Sequence, residues 1–362
     1  MYMSRTLNTS YQYLRNFTRN QKQHIFLFGD NKGWILSTIA HQVSNGLSQQ
    51  YGMSADVLTT PRFLQNHILH FINLHAYLAY LHRHVHPSNK VIVMWHHGDP
   101  NQDRKYQSYL DQLLALLPQI DLINTPCHFS KQVLINHGIS DEQVIVTPNG
   151  IEPSIFHPPT QFERQTIRKR LGIPENAFCI GSFQKDGAGF EAGNEPKLEK
   201  GPDVFLETLS ILRKTHDNLF VVLTAPARGY VKQGLHKLNI PFVHRIEDNA
   251  ADVAQYYAAL DAYFIASRLE GGPQALMESW ASGVPVVSTS VGMVTDWMQN
   301  GSNGLLADVE DASALANKLS QLIDSSELGD QLSKQALLDV QQLHWNKVVE
   351  QYVEHIYQPL IT

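Results

Sequence analysis

The chain is poor in cysteine, in charge and in long apolar runs, and each shortage closes off a class of protein. Two cysteines in 362 residues, Cys127 and Cys179, cannot build a disulfide framework, which fits a reducing compartment. Charged residues make up 17% against a usual ~25%. The balance of 28 Lys+Arg to 34 Asp+Glu leaves a formal charge of −6. Nucleic-acid binders normally carry a basic domain or stripe, so this balance argues against one. No apolar run reaches the roughly 18 residues of a membrane span. The opening MYMSRTLNTSYQYLRNFTRNQKQ lacks the apolar centre of a secretion signal. There is no Asp-x-Asp pair and no G-x-x-x-x-G-K-[ST] phosphate loop. The expectation is a soluble, cytoplasmic protein.

What is present is a chain 43% hydrophobic, long enough for about two domains. Short apolar strands alternate with longer amphipathic stretches, a pattern that predicts parallel sheets with helical crossovers. In the first half the strands are expected at His24–Phe28, Asp56–Leu58, Val91–Trp95, Leu122–Asn124 and Val144–Thr147. Helices are expected at Trp34–Gln50, Phe63–Val85, Gln107–Leu117 and Lys131–His137. The Pro-rich Pro148–Pro159 breaks both periods and reads as a linker. The second half repeats the theme, with strands at Cys179–Phe183, Phe220–Thr224, Phe242–His244, Ala262–Ile265 and Pro285–Ser288. Its helices are predicted at Pro202–Lys214, Asp252–Leu260, Gln274–Ser282, Ala312–Ile323 and Leu328–Leu343. The expected domains are 1–155, 156–340, and a terminal helical stretch, 341–362, crossing back to the first.

The densest chemistry is SRLEGGPQALMESWASG, Ser267–Gly283. It follows an apolar strand and opens a helix at Gly271-Gly272-Pro273-Gln274. Pro273 suits a first helical position, and the unpaired amides of a helix start attract anions. A phosphate belongs there. Carboxylates beside it would repel it, so Glu270 and Glu278, with seven residues between them, are expected to accept hydrogen bonds from hydroxyl groups. A phosphate flanked by polyol-binding acids is what a nucleotide sugar needs.

Glu270…Glu278 followed by Gly283–Val287 resembles the E-x7-E signature of retaining glycosyltransferases of the GT-B fold, family 4, among the glycosyl transferases group 1. Val291-Gly292 and Asn300–Leu306 resemble the family's next stretch, with Met293 in place of a second glycine and the usual acid near Asp296. Val146–Ile151, with Phe156 and Pro158, and Leu260–Tyr263 resemble two more of its motifs. The matches run from about residue 91 to 310. The resemblance implies an α/β protein of two Rossmann-like doubly wound domains facing a central cleft. It further implies a metal-independent transfer of a hexose-type sugar from a UDP-, GDP- or ADP-sugar to an acceptor hydroxyl, with retention of configuration. A nucleotide-sugar epimerase of the same fold and a non-catalytic sugar-binding relative are the alternatives.

Family members carry an arginine after the first strand of the second domain, then a Lys-Gly pair. Fixed cations there meet the charge that grows on the departing diphosphate. Lys200-Gly201 matches the pair, and Lys200 is the expected clamp. Ser182 or Phe183 stands where the arginine belongs, with Lys185 as a substitute and Lys197 competing. The resemblance assigns donor hydroxyls to Glu270, ribose to Glu278, and the base to the main chain of Arg245 and Ile246. Arg228 either reaches the ligand or lies on the surface.

In the first domain, His96-His97 ends a strand. His97 is the better match to the family histidine that contacts the transferring sugar. A metal site of His96, His97 and Asp99 is the rival, disfavoured because adjacent side chains on a strand diverge. No metal or cofactor is expected. Gly29, Asp30, Lys32 and Gly33 resemble the family's loop near donor phosphate and acceptor. The six histidines of His67–His86 follow no metal-binding spacing and read as solvated or interfacial. Arg62, Arg83 and Lys90 are too few basic residues for more than weak peripheral membrane contact.

Overall fold

The computed structural model describes residues 23–30, 35–97, 99–100, 104–189, 191–247 and 249–361. The chain divides into two compact units. The first comprises 1–125, 131–147 and 345–362, the second 126–130 and 148–344. Among the described residues no helix is long and apolar enough to cross a membrane.

The first unit holds a six-stranded parallel sheet: β1 (Ile25–Phe28), β2 (Ala55–Val57), β3 (Ile68–Phe71), β4 (Lys90–Met94), β5 (Leu122–Thr125) and β6 (Val144–Val146), in the order β2-β1-β3-β4-β5-β6. Strands covered on both faces read as continuous apolar runs, and IFLF of β1 is buried throughout. The structure corrects one element. The predicted helix over Phe63–Val85 is instead β3, a short helix Leu74–Ala79 and a single 3-10 turn at Leu81–His84. An apolar run buried on two faces carries no period that separates strand from helix.

Among the histidines read as solvated or interfacial, His70 is a fully buried sheet residue. Its Nδ1 meets the Tyr357 hydroxyl at 2.8 Å and its Nε2 meets Asn124 Oδ1 at 2.9 Å. Asn124 Nδ2 in turn donates to Thr147 Oγ1 at 3.1 Å and to the Tyr352 hydroxyl at 3.2 Å. Burial pushes the His70 pKa down to about 4, so it is neutral at pH 7. The returning segment supplies the other half of this face. Trp345, Val348, Val349, Tyr352 and Ile356 pack with Ile25, Leu27, Ile39 and Val43 into one core.

The second unit holds β7 (Phe178–Ser182), β8 (Leu219–Leu223), β9 (Phe242–His244), β10 (Ala262–Ile265), β11 (Val286–Thr289) and β12 (Leu305–Ala307), all parallel, in the order β12-β11-β10-β7-β8-β9. β12 and the helices Gln161–Leu171 and Gly229–Lys237 add to the predicted set. Strand order reverses between β7 and β10 here, and between β1 and β3 in the first unit. Open α/β sheets bind ligands beyond the carboxyl ends of the strands at such points.

The buried polar network makes a direct prediction. Asn124→Ala leaves the buried His70 Nε2 without its partner and takes one bond each from Thr147 and Tyr352, at roughly 1–3 kcal/mol for a buried group left unpaired. Urea unfolding is expected to show a loss of at least about 2 kcal/mol; a loss below about 0.5 kcal/mol would deny the network its role.

Candidate functional site

Two residues that the sequence singles out, Lys200 and Glu270, sit at the reversal point of the second sheet. Lys200 ends the connection out of β7, and Glu270 lies just beyond β10. The Lys200 ammonium is 2.7 Å from both Glu270 oxygens. Ser267 Oγ donates to the same Oε1 at 2.9 Å. The Glu270 side chain is 11% exposed and that of Lys200 29%, so a ligand arriving from solvent reaches the pair.

The backbone explains the Lys-Gly pairing. Gly201 has φ +61°, and a Cβ there would fall 1.8 Å from the Ala266 carbonyl oxygen. Only glycine lets the start of helix Pro202–Leu212 pass that close to the end of β10. The amides of Arg268 and Leu269 both donate to the Glu199 carbonyl, at 3.0 and 3.1 Å. Arg268 then forks onto both oxygens of Asp203 at 2.7 Å. The lysine loop and the glutamate loop are thus one rigid piece.

The Gly271-Gly272-Pro273 turn is held from two sides. Asn149 Nδ2 donates to the Gly272 carbonyl at 3.3 Å, and Gln274 Nε2 to that of Gly150 at 3.0 Å. Met293 N donates to the Gly271 carbonyl at 2.8 Å. A Cβ on Gly292 would lie 2.3 Å from that carbonyl oxygen, and φ there is +47°. Met293 itself is fully buried in the core. The linker motif and the post-β11 motif are therefore the braces of this turn. Pro273 caps the helix Gln274–Ala281 rather than occupying its first position, and the Gln274 side chain is spent on Gly150.

Glu278, one helical turn on, accepts a hydrogen bond of 2.6 Å from the Tyr257 hydroxyl. Loss of hydration raises its carboxyl pKa to about 7, against the lowering by Tyr257. Burial and the Glu278 charge raise the Tyr257 phenol. Sequence reasoning missed Tyr257, whose helix gave no sign that one hydroxyl turned toward the acid.

Arg228 corrects both readings offered for it. It is neither at the surface nor free to reach outward, being 1% exposed. Its guanidinium lies 2.9 Å from Asp186 Oδ1. It donates to the Ser182 carbonyl at 2.6 Å, to Ser182 Oγ at 3.0 Å and to the Thr224 carbonyl at 3.0 Å. An arginine from the loop after β8 therefore ends at Ser182, the position where the family's arginine is absent. Burial lifts the Asp186 carboxyl above its usual range against the pull of Arg228. Lys185, beside Asp186, is half-buried, and burial with the Lys197 charge lowers its pKa. Gln184 Nε2 donates to the Lys200 carbonyl at 2.8 Å and its Oε1 lies 3.3 Å from Ser267 Oγ, tying this loop to the Lys200 pair. Arg245 and Ile246 are not gathered into this cluster. They follow β9 at the sheet edge, the Arg245 amide is committed to the Leu223 carbonyl at 2.9 Å, and Ile246 is 60% exposed.

In the first unit, Gly29 and Asp30 lie at the end of β1, at that sheet's own reversal point; Lys32 and Gly33 fall outside the described residues. His97 is buried and stacks on Tyr106 and Tyr109, with ring centroids 4.9 and 5.2 Å away. Its carbonyl accepts from Trp95 Nε1 at 3.0 Å. The expected divergence of His96 and His97 fails: their rings are 4.4 Å apart. Strand pairing ends at Met94, so the alternation of an extended strand no longer governs them.

The Asp186–Arg228 pair yields a test. Asp186→Ala leaves a buried guanidinium without its counter-ion, a loss of about 3–5 kcal/mol in urea unfolding. The Asp186→Leu/Arg228→Met double variant is expected to recover part of it. A single variant as stable as the parent would contradict the pairing.

Residues 195–338, which contain Lys200, Arg228, Glu270 and Glu278, match the family model described as glycosyl transferases group 1. A D-inositol 3-phosphate glycosyltransferase of Acidothermus cellulolyticus is 25% identical over 243 residues, 61% of this chain and 49% of the relative. An N-acetyl-alpha-D-glucosaminyl L-malate synthase of Bacillus anthracis is 25% identical over 300 residues, 81% of this chain and 74% of the relative. The chain thus spans about half the length of the inositol phosphate enzymes it matches. Among solved structures, Anabaena HepE in complex with UDP superposes with a TM-score of 0.71 at 17% identity, over 93% of this chain and all of that one. The two parallel sheets of this chain have the GT-B architecture, and the stretch 195–338 of the second unit is similar to the glycosyl transferases group 1.

Proposed function

We propose that the chain is a retaining glycosyltransferase that moves a hexose-type sugar from a nucleoside-diphosphate sugar to an acceptor hydroxyl without a metal ion. The observation that carries this reading is the Lys200 ammonium held 2.7 Å from Glu270 at the reversal point of the second sheet, next to a braced helix start. A diphosphate entering there competes with Glu270 for Lys200. It offers two negative groups where Glu270 offers one, and the amides opening the helix at Gln274 add their dipoles. As the ammonium turns to phosphate, Glu270 is released to accept hydrogen bonds from donor hydroxyls and to balance positive charge on the sugar. Lys200 then meets the charge that grows as the glycosidic bond breaks, which is the work a metal would otherwise do.

Glu278, seated beside Tyr257, is the proposed ribose acceptor, and Lys185 the second cation on the diphosphate. The similar Anabaena protein was also solved with UDP-glucose, which supports taking uridine donors first. The names of the curated relatives support a small hydroxyl-bearing acceptor.

Three outcomes are expected. Lys200→Ala lowers kcat by about 10²–10³-fold, the range for removing one group that stabilises a developing anion, and abolishes the rise in melting point that a bound nucleoside diphosphate gives. Melting points that do not move with UDP, GDP or ADP in the parent protein would reject the reading, and sugar isomerisation without acceptor would favour the epimerase. Second, Glu278 must be ionised to accept two hydroxyl donors, and its pKa is pushed up to about 7. Donor affinity should therefore rise with pH across roughly 6–8 and become flat in Glu278→Gln. Third, a chelator leaves the transfer rate unchanged.

A further inference from the structure

We infer that His75, His96 and His97 form a binding site for a transition-metal ion of the zinc type, carried by the first unit alone. The three side chains each offer one ring nitrogen, and these nitrogens lie within 4.8 Å of one another. His75 comes from the helix Leu74–Ala79, the other two from the turn after β4. The His75 ring is 5.7 Å from that of His96 and 4.9 Å from that of His97, centre to centre. Three imidazoles from two elements converging on one point are a ligand set that zinc, cobalt, nickel and copper favour.

The surroundings suit a metal better than a water-filled pocket. His96 Nδ1 is buried and no described group meets it with hydrogen-bond geometry. A buried ring nitrogen in that state costs free energy that a metal bond recovers. Tyr109 packs edge-on against His75 at 4.6 Å and stacks on His97, so a side chain outside the triad fixes the ring planes. In a tetrahedral zinc site with Zn–N bonds of ~2.1 Å, ligand nitrogens stand about 3.4 Å apart. Closing from 4.8 Å asks for side-chain rotations of the order of an ångström. Three protein ligands leave the fourth position for water or another oxygen donor.

The site takes up His97, the residue that the resemblance puts on the donor sugar, but its test uses no donor sugar, so it succeeds or fails separately from the transfer reading. The test adds Zn²⁺, and Co²⁺ as its visible-absorbing stand-in, to metal-stripped, tag-free full-length protein. One equivalent is expected to bind, with the intense visible bands of four-coordinate cobalt. His75→Ala and His96→Ala should each weaken that binding at least tenfold, since even outer-shell changes at such sites cost 10–100-fold. Crystals soaked in Zn²⁺ and measured at the zinc absorption edge give a readout that needs no variant. An anomalous peak between the three rings supports the site. No bound equivalent, binding indifferent to both substitutions, or a peak only at other histidines would overturn it.

Discussion

An ammonium set on a carboxylate where strand order reverses is the contact around which the second unit is built. Lys200 and Glu270 come from two different loops 70 residues apart in the chain. Their 2.7 Å approach survives only because each loop is fixed before any ligand arrives. Gly201 lets one loop lie on the carbonyl of Ala266. Glu199 takes two amides of the other, and Arg268 clamps Asp203. None of these groups touches a ligand in the proposed chemistry. They pay for the geometry in advance, which is what electrostatic stabilisation of a departing anion requires.

The fold was legible where strands are short, fully apolar and bounded by turns, and the Lys-Gly pair and the glycine turn could be placed from sequence on the right strand ends. β3 was not, because HILHFI has no polar face to give a period. The irregular spacing of the histidines nearby read as solvated or interfacial, and it gave no sign that His70 is satisfied inside the core by Asn124 and Tyr357 from far along the chain. β12, only three residues long, offers too little sequence for a pattern. The helix Gln161–Leu171 had a signal that went unused. Thr160 and Glu163 form a reciprocal capping box, readable as Thr-x-x-Glu.

Within the candidate site, the sequence showed which residue types were present but not which pairs close. Motif residues turned out to divide by task. Asn149 and Gln274 brace the glycine turn, and Asp261 accepts from Arg164, Arg168 and the Cys179 amide at 2.6, 3.0 and 2.7 Å, so it fastens a helix to β7. Arg228 illustrates the limit from the other side. Its position in sequence, well after β7, gave no reason to expect its guanidinium on Ser182, because only the folded sheet brings the loops after β7 and β8 side by side. His96 and His97 failed the alternation argument for a similar reason, since that argument holds within a paired strand and the pairing had already ended.

The account is tested most directly by a crystal structure of the protein with a bound nucleoside diphosphate. It predicts the two phosphates against the amides that open the helix at Gln274, with the Lys200 ammonium turned from Glu270 onto a phosphate oxygen. A diphosphate bound elsewhere, with the Lys200–Glu270 contact still closed, would contradict it.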